Sequence, residues 1–280
     1  MRGMVEKGEL RPSTAARLFH VSRSSLYKPL HPGPVHRPRQ DESVMRARVR
    51  RVAEERITYG YRRIWGVLRR QQGVFVNRKR VRRIPKAEGL QRAVHFPRPR
   101  LPSNGSQSAE HPNERWFSDI TYLETTDLGL VGLTVVEDTC TREILAWPLL
   151  PSCGAVDTSQ VLEDAVMERF PETGKANGVS LRTDGGSQFT SSYFQERARQ
   201  LGVHVEAYRK RRPEDGGLIE SFNGHWKSDY PWTMEPTTFE ETRQLTGRWI
   251  KDYNEARPHS SLDYLTPKAF YATYKMEEKE

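Results

Sequence analysis

Cysteine is nearly missing from this 280-residue chain. Only Cys140 and Cys153 occur. No Cys-x-x-Cys pair and no His/Cys set at zinc-finger spacing is present, so neither a disulfide scaffold nor a structural zinc is indicated. Long apolar runs are lacking as well: Leu128 to Val136 falls far short of the roughly 20 residues a spanning helix needs. The Arg-containing amino terminus has no apolar signal-peptide region. These absences predict a soluble cytoplasmic protein with two reduced thiols. Acidic residues are scarce in the front of the chain. Through residue 100 there are 7 Asp and Glu against 26 Lys and Arg, a balance of +19, whereas the remainder holds 29 against 19, a balance of −10. A basic front joined to an acidic back points to a polyanion, with nucleic acid first, gripped through phosphate contacts and counterion release.

What is present reads as small helical units ahead of a mixed α/β domain. Ala15 to Phe19 and Arg23 to Tyr27, separated by His20-Val21-Ser22, outline two short helices and a tight turn, with Ser22 as N-cap of the second. That is a helix-turn-helix pattern, and it would bring Arg23 and Ser24 near base edges in a major groove. Pro29, Pro32, Pro34 and Pro38 then make an extended linker, closing a first module at 1–38. A second helical module covers 39–93. In it Ile64, Val67 and Leu68 form a core face with Arg62 and Arg63 off that face as candidate DNA contacts, and Asn77 caps a helix whose Val81 and Ile84 pack. That helix turns Arg78, Lys79, Arg80, Arg82 and Arg83 outward, which suits DNA; a solvated charged face is the plain alternative. Residues 94–112, rich in Pro, Ser, Gly and Asn, read as a linker.

From 113 to 275 the pattern changes. Trp116–Glu124, Leu130–Asp138 and Glu143–Leu150 read as a three-stranded meander. A helix over Thr158–Phe170, a strand over Gly178–Thr183, a helix over Ser191–Leu201 and a strand over Val203–Ala207 follow. The expectation is a mixed five-stranded sheet with flanking helices and a helical tail. The basic loop containing Lys210 and Arg211, both candidate DNA contacts, leads into a helix from Gly216 to Tyr230. There Ile219, Phe222 and Trp226 make an apolar stripe, and Glu220, Asn223, Gly224 and Lys227 share the neighbouring face.

Three carboxylates stand out in that layout. Asp119 lies inside the first strand, Asp184 just past the fourth, and Glu220 on the helix after the fifth. If the first and fourth strands are neighbours, the aspartates meet and the helix can lay Glu220 beside them. Clustered carboxylates repel one another unless cations neutralise them. Hard oxygen ligands suit Mg²⁺ or Mn²⁺, and two such ions can activate an attacking oxygen and stabilise a leaving one in phosphoryl displacement. Asp138 and Asp157 read as strand-end and helix-capping residues, and Arg257 and His259 either as DNA contacts or as buried groups that close the tail.

In Trp116-Phe117-Ser118-Asp119-Ile120-Thr121-Tyr122, in Arg182-Thr183-Asp184-Gly185-Gly186-Ser187-Gln188-Phe189 and in Ile219-Glu220-Ser221-Phe222-Asn223-Gly224 the chain resembles the insertion-sequence transposases of OrfB type, which share a DDE core with retroviral integrases. Thirty-five residues separate Asp184 from Glu220 and Lys227 follows seven after the glutamate, both as in that family. Tyr253 to Leu262 looks like its tail motif, and Tyr59 to Ile64 like its helical DNA-binding module. The resemblance implies an RNase H-like core, Asp119, Asp184 and Glu220 as ligands of two Mg²⁺ or Mn²⁺ ions, and Lys227 and Asn223 at the DNA. It implies the element's terminal inverted repeats and target DNA as partners, homo-oligomers bridging two ends, an upstream-frame product as a further partner, and a place at the bacterial nucleoid. A non-catalytic DNA-binding protein derived from a transposase, or a nuclease without strand transfer, are the rival readings. Two departures from the pattern are visible: Pro85 interrupts a helix the family continues, and Glu214-Asp215-Gly216-Gly217 is more acidic and glycine-rich than the usual loop.

Overall fold

The computed structural model describes residues 10–20, 42–90, 109–207, 217–229 and 238–277, without the side chains of 217–220, 228 and 277. By its internal contacts the chain divides into two units, Met1–Arg46 and Ala47–Glu280. In the first, helix α1 (Pro12–Leu18) starts with a proline at its first position, where the missing N–H costs nothing, and buries Ala15. The second expected helix, with Arg23 and Ser24, and the proline linker lie outside the described residues.

Helix α2 (Glu42–Glu55) leads into the second unit. Helix α3 (Tyr61–Gly66) passes directly into a π turn over Val67–Gln71 that stops at Gly73, whose φ is +63°. Ile64, Val67 and Leu68 are buried as the periodicity predicts. Asn77 accepts from the Lys79 N–H at 2.8 Å and starts α4 (Arg78–Ala87), which buries Val81 and Ile84. Pro85 does not interrupt this helix. It sits within the last turn with its ring buried, and the helix closes two residues later, where the Leu90 N–H donates back to the Pro85 carbonyl at 2.9 Å around Gly89, at φ +69°. So close to a helix end, a missing donor frees one carbonyl and breaks little.

The sheet has six strands: β1 (Arg115–Thr125), β2 (Gly129–Asp138), β3 (Ile144–Ala146), β4 (Leu149–Leu150), β5 (Val179–Thr183) and β6 (Val203–Ala207). Their order is β3-β2-β1-β5-β6, with β4 also on β2. The expected third strand is thus two short ones, divided at Trp147-Pro148, where the proline has no N–H to give the ladder; a separate register shift lies within β3, where Leu145 is the extra residue opposite Val136 and Glu137. β1 pairs antiparallel with β2 and parallel with β5, and β5 parallel with β6.

Two apolar layers cover the sheet. Trp116, Leu181 and Val179 meet α5 (Ala155–Arg169), α6 (Ser187–Thr190) and α7 (Ser192–Gln200) through Val161, Leu162, Phe189 and Phe194. Phe117, Leu133 and Val135 meet α8 (Gly217–Asp229) and α9 (Phe239–Glu255) through Phe222, Trp226, Ile250 and Tyr253. Because strand side chains alternate, Phe117 and Asp119 face the α8 side and Trp116 the other. A 3-10 turn (Ser260–Leu262) and α10 (Pro267–Glu277) end the described chain. No helix among the described residues is long and apolar enough to cross a membrane.

Candidate active site and its relatives

Register brings the two aspartates together. Phe117 is opposite Arg182 in the parallel ladder; two residues further along each strand stand Asp119 and Asp184. Thr183 ends β5, and Asp184 turns the chain with its carboxylate accepting from the Gly186 N–H at 2.9 Å, ahead of the short α6. Asp184 is exposed and Asp119 half-buried. Burial, and also the Asp184 charge, push the Asp119 carboxyl up to about 6, against the Ile120 backbone N–H, the Asn223 amide and the Lys227 ammonium, which pull it down.

Helix α8 approaches from the same side. Phe222 and Trp226, one turn apart, are fully buried against Phe117 and fix the helix on the sheet. On the adjoining face the Asn223 Nδ2 donates to Asp119 Oδ2 at 2.7 Å, and Lys227 is exposed one turn further on. Glu220 occupies the first turn of α8, one turn before Asn223; its side chain, like that of Ile219, lies outside the described atoms. Among the described side chains no group of three His, Cys, Asp or Glu is gathered for a metal ion. The Asn223 Oδ1 is buried without a hydrogen-bond partner among the described residues, leaving an oxygen donor free beside the aspartates.

The other expected residues divide into three groups. Arg62, Arg78, Lys79, Arg82 and Arg83 are exposed, and Arg80 is half-exposed. Arg63 departs from the expectation of an outward-facing arginine: it turns inward, and its Nη2 donates to the His225 imidazole, 3.2 Å from Nε2. Its neighbour in sequence, Ile64, carries the core contact, so a helix only six residues long has little face left for solvent. Lys210 and Arg211 lie outside the described residues.

The tail motif closes the fold. Asn254 pairs with the backbone of Ile144, accepting from its N–H at 3.0 Å and donating to its carbonyl at 2.9 Å, so a side chain caps the β3 edge. Arg257 is buried and donates to Asp229 at the end of α8. Asp138 accepts from the N–H groups of Asn113, Cys140 and Thr141, and Asp157 from that of Gly154, so both are the strand-end and capping residues expected.

Comparison with known proteins follows the same division. One integrase core domain model matches residues 109–213, a second matches 201–267, and an HTH-like domain model matches 39–98. Over 272 residues the chain is 31% identical to the transposase InsD for insertion element IS2 of Escherichia coli, covering 92% of this chain and 90% of that one. The chain belongs to the family of insertion-element transposases with an integrase core. It is also 30% identical to an uncharacterized 31.7 kDa protein of insertion element IS407 from Burkholderia multivorans, covering 98% of this chain and 95% of that one. Among solved structures, the HTLV-2 integrase catalytic core domain in complex with magnesium is 18% identical with a TM-score of 0.43, covering 57% of this chain and 96% of that one. The transposase has the RNase H-like arrangement: three antiparallel strands continued by two parallel ones, with helices on both faces. Its HTH-like match falls on the second helical module, which includes Arg62 and α4. Family membership makes it a polynucleotidyl transferase in the general sense.

Proposed function

We propose that this transposase cleaves DNA at the ends of its element and joins them to target DNA, with Asp119, Asp184 and Glu220 holding two divalent cations, Mg²⁺ or Mn²⁺. The observation that carries this reading is the hydrogen bond from Asn223 to Asp119, which sets the helix bearing Glu220 on the aspartates' side of the sheet. The donor set fits the ions. Burial and the adjacent Asp184 charge disfavour ionised Asp119, a cost a cation offsets, and the unpartnered Asn223 Oδ1 adds a hard oxygen. When bound, such a pair supplies activation of the attacking oxygen and stabilisation of the leaving one.

The chain's own residues do the positioning. Asn223 fixes the rotamer of Asp119, Phe222 and Trp226 lock α8, and exposed Lys227 holds a DNA phosphate at the rim. The modules at 1–38 and 39–93, joined to the core at 113–275 by a linker over 94–112, recognise the terminal inverted repeats. In them the exposed basic residues of α4 track the backbone. The working form is a homo-oligomer bridging two ends, with an upstream-frame product as a further partner. Asp119→Asn is expected to abolish cleavage and strand transfer of an end-bearing duplex while end binding persists; retained cleavage would reject the assignment.

A further inference from the structure

Behind α8, on the side away from Asp119, lies a cleft of about 500 Å³ between the start of α3, the end of β2, α8 itself and the turn after α9. Arg63, Arg142 and Arg257 line it together with His225, His259 and Glu137. Arg257 is matched by Asp229, and Arg142 stands 3.9 Å from Glu137. Arg63 has no carboxylate partner among the described residues; its Nη2 meets only the His225 ring, which must offer a lone pair, since a guanidinium cannot accept. Beneath it, Arg257 Nη2 and His259 Nε2 are buried without hydrogen-bond partners among the described residues. Three guanidiniums have therefore been drawn together with too few anions to balance them, an arrangement that costs stability unless something else completes it.

We propose that this cleft binds a phosphate group of the DNA strand, with the guanidiniums of Arg63, Arg142 and Arg257 as its cationic wall. The two non-bridging oxygens of a phosphodiester can each accept from a guanidinium fork, and the cleft has room for the sugar attached to the phosphorus. The mutual repulsion such an anion relieves is already visible: Arg63 is pulled down to about 10 by burial and by Arg257, and His259 well below its ordinary value by burial, Arg257 and Arg63. Burial pushes the Glu137 carboxyl up and favours its neutral form, which does not repel an anion. Ser221 and His225 on α8 border this cleft, while Asn223 on the opposite face of the helix bonds Asp119, so a phosphate here ties one helix to the substrate from both sides. The identity of the phosphate as DNA rests on the transposase reading.

The test uses the full chain and two probes. Inorganic phosphate, titrated against chloride at constant ionic strength, is expected to raise the thermal midpoint of the wild type, and Arg63→Gln to remove that rise while Arg63→Lys restores part of it. Duplex binding measured against salt is expected to lose about one unit of the log–log slope in Arg63→Gln. Arg142→Gln serves as a second variant if Arg63→Gln does not fold. No phosphate-specific rise in the wild type, or a rise that survives both substitutions, overturns the site. A rise that is lost while the salt slope stays unchanged overturns DNA as the source and leaves free phosphate as the ligand. Neither readout involves cleavage, so this outcome and that of Asp119→Asn are independent.

Discussion

The Asn223 amide hydrogen-bonds the Asp119 carboxylate across 104 residues of sequence, joining a helix to the central strand at 2.7 Å. A carboxylate held in one orientation by a neighbouring amide presents a fixed edge to an ion, which is how a hydrogen-bonding neighbour tunes a ligand. Asn223→Ala is expected to lower the single-turnover cleavage rate by about 10- to 100-fold with little change in end binding. Asn223→Gln would recover part of the rate if the role is orientation. Equal loss of binding and cleavage would show instead that Asn223 acts on DNA.

Arg169 tests the integrity of the sheet. It is buried, donates to Glu143 at 2.8 Å and to Thr141 at 3.3 Å, and stacks its guanidinium 3.6 Å from the centre of the Tyr271 ring, linking α5 to α10. Arg169→Met leaves Glu143 buried and unpaired, and chemical denaturation is expected to show a loss of about 3–5 kcal/mol. Adding Glu143→Leu should return most of it. A single substitution costing under about 1 kcal/mol, the range of exposed pairs, would contradict this assignment.

The layout of the core was legible in the sequence because its elements are locally consistent. The apolar run Leu130–Asp138 is an inner strand, and the helical periodicity of Val161, Leu162, Ala165 and Val166 names the face that packs. Asp119 and Asp184 were placed by strand adjacency alone, which the parallel β1–β5 ladder supplies. What stayed hidden depends on tertiary context. Pro85 reads as a breaker until its position at a helix end is known, and Pro148 divides a strand that composition writes as continuous. Arg63 looks like any other arginine of a basic helix; its inward turn depends on His225, 162 residues away. The only local trace of that contact is that both residues sit in motif stretches, Tyr59 to Ile64 and the segment after Glu220.

Glu137 predicts a pH signature. Burial first, and the Asp138 charge besides, push its carboxyl from 4.5 to about 8, against the pull of Arg142. Below 4.5 both folded and unfolded states hold the proton. As pH rises toward 8 the unfolded chain loses a proton that the fold retains, so stability falls, and above 8 the loss is complete. Glu137→Gln should therefore gain on the wild type across that window, at roughly 1.4 kcal/mol per pKa unit of displacement, and level off above it. Denaturation curves for the two proteins whose difference is flat with pH would contradict the buried neutral acid.

The most direct measurement is anomalous scattering from crystals of the full chain soaked in Mn²⁺. Peaks within coordination distance of Asp119, Asp184 and Glu220, absent in Asp119→Asn crystals, are the predicted result. Saturating Mn²⁺ with no peak between these carboxylates, or with Glu220 turned away from an ion held by the aspartates alone, would contradict the account.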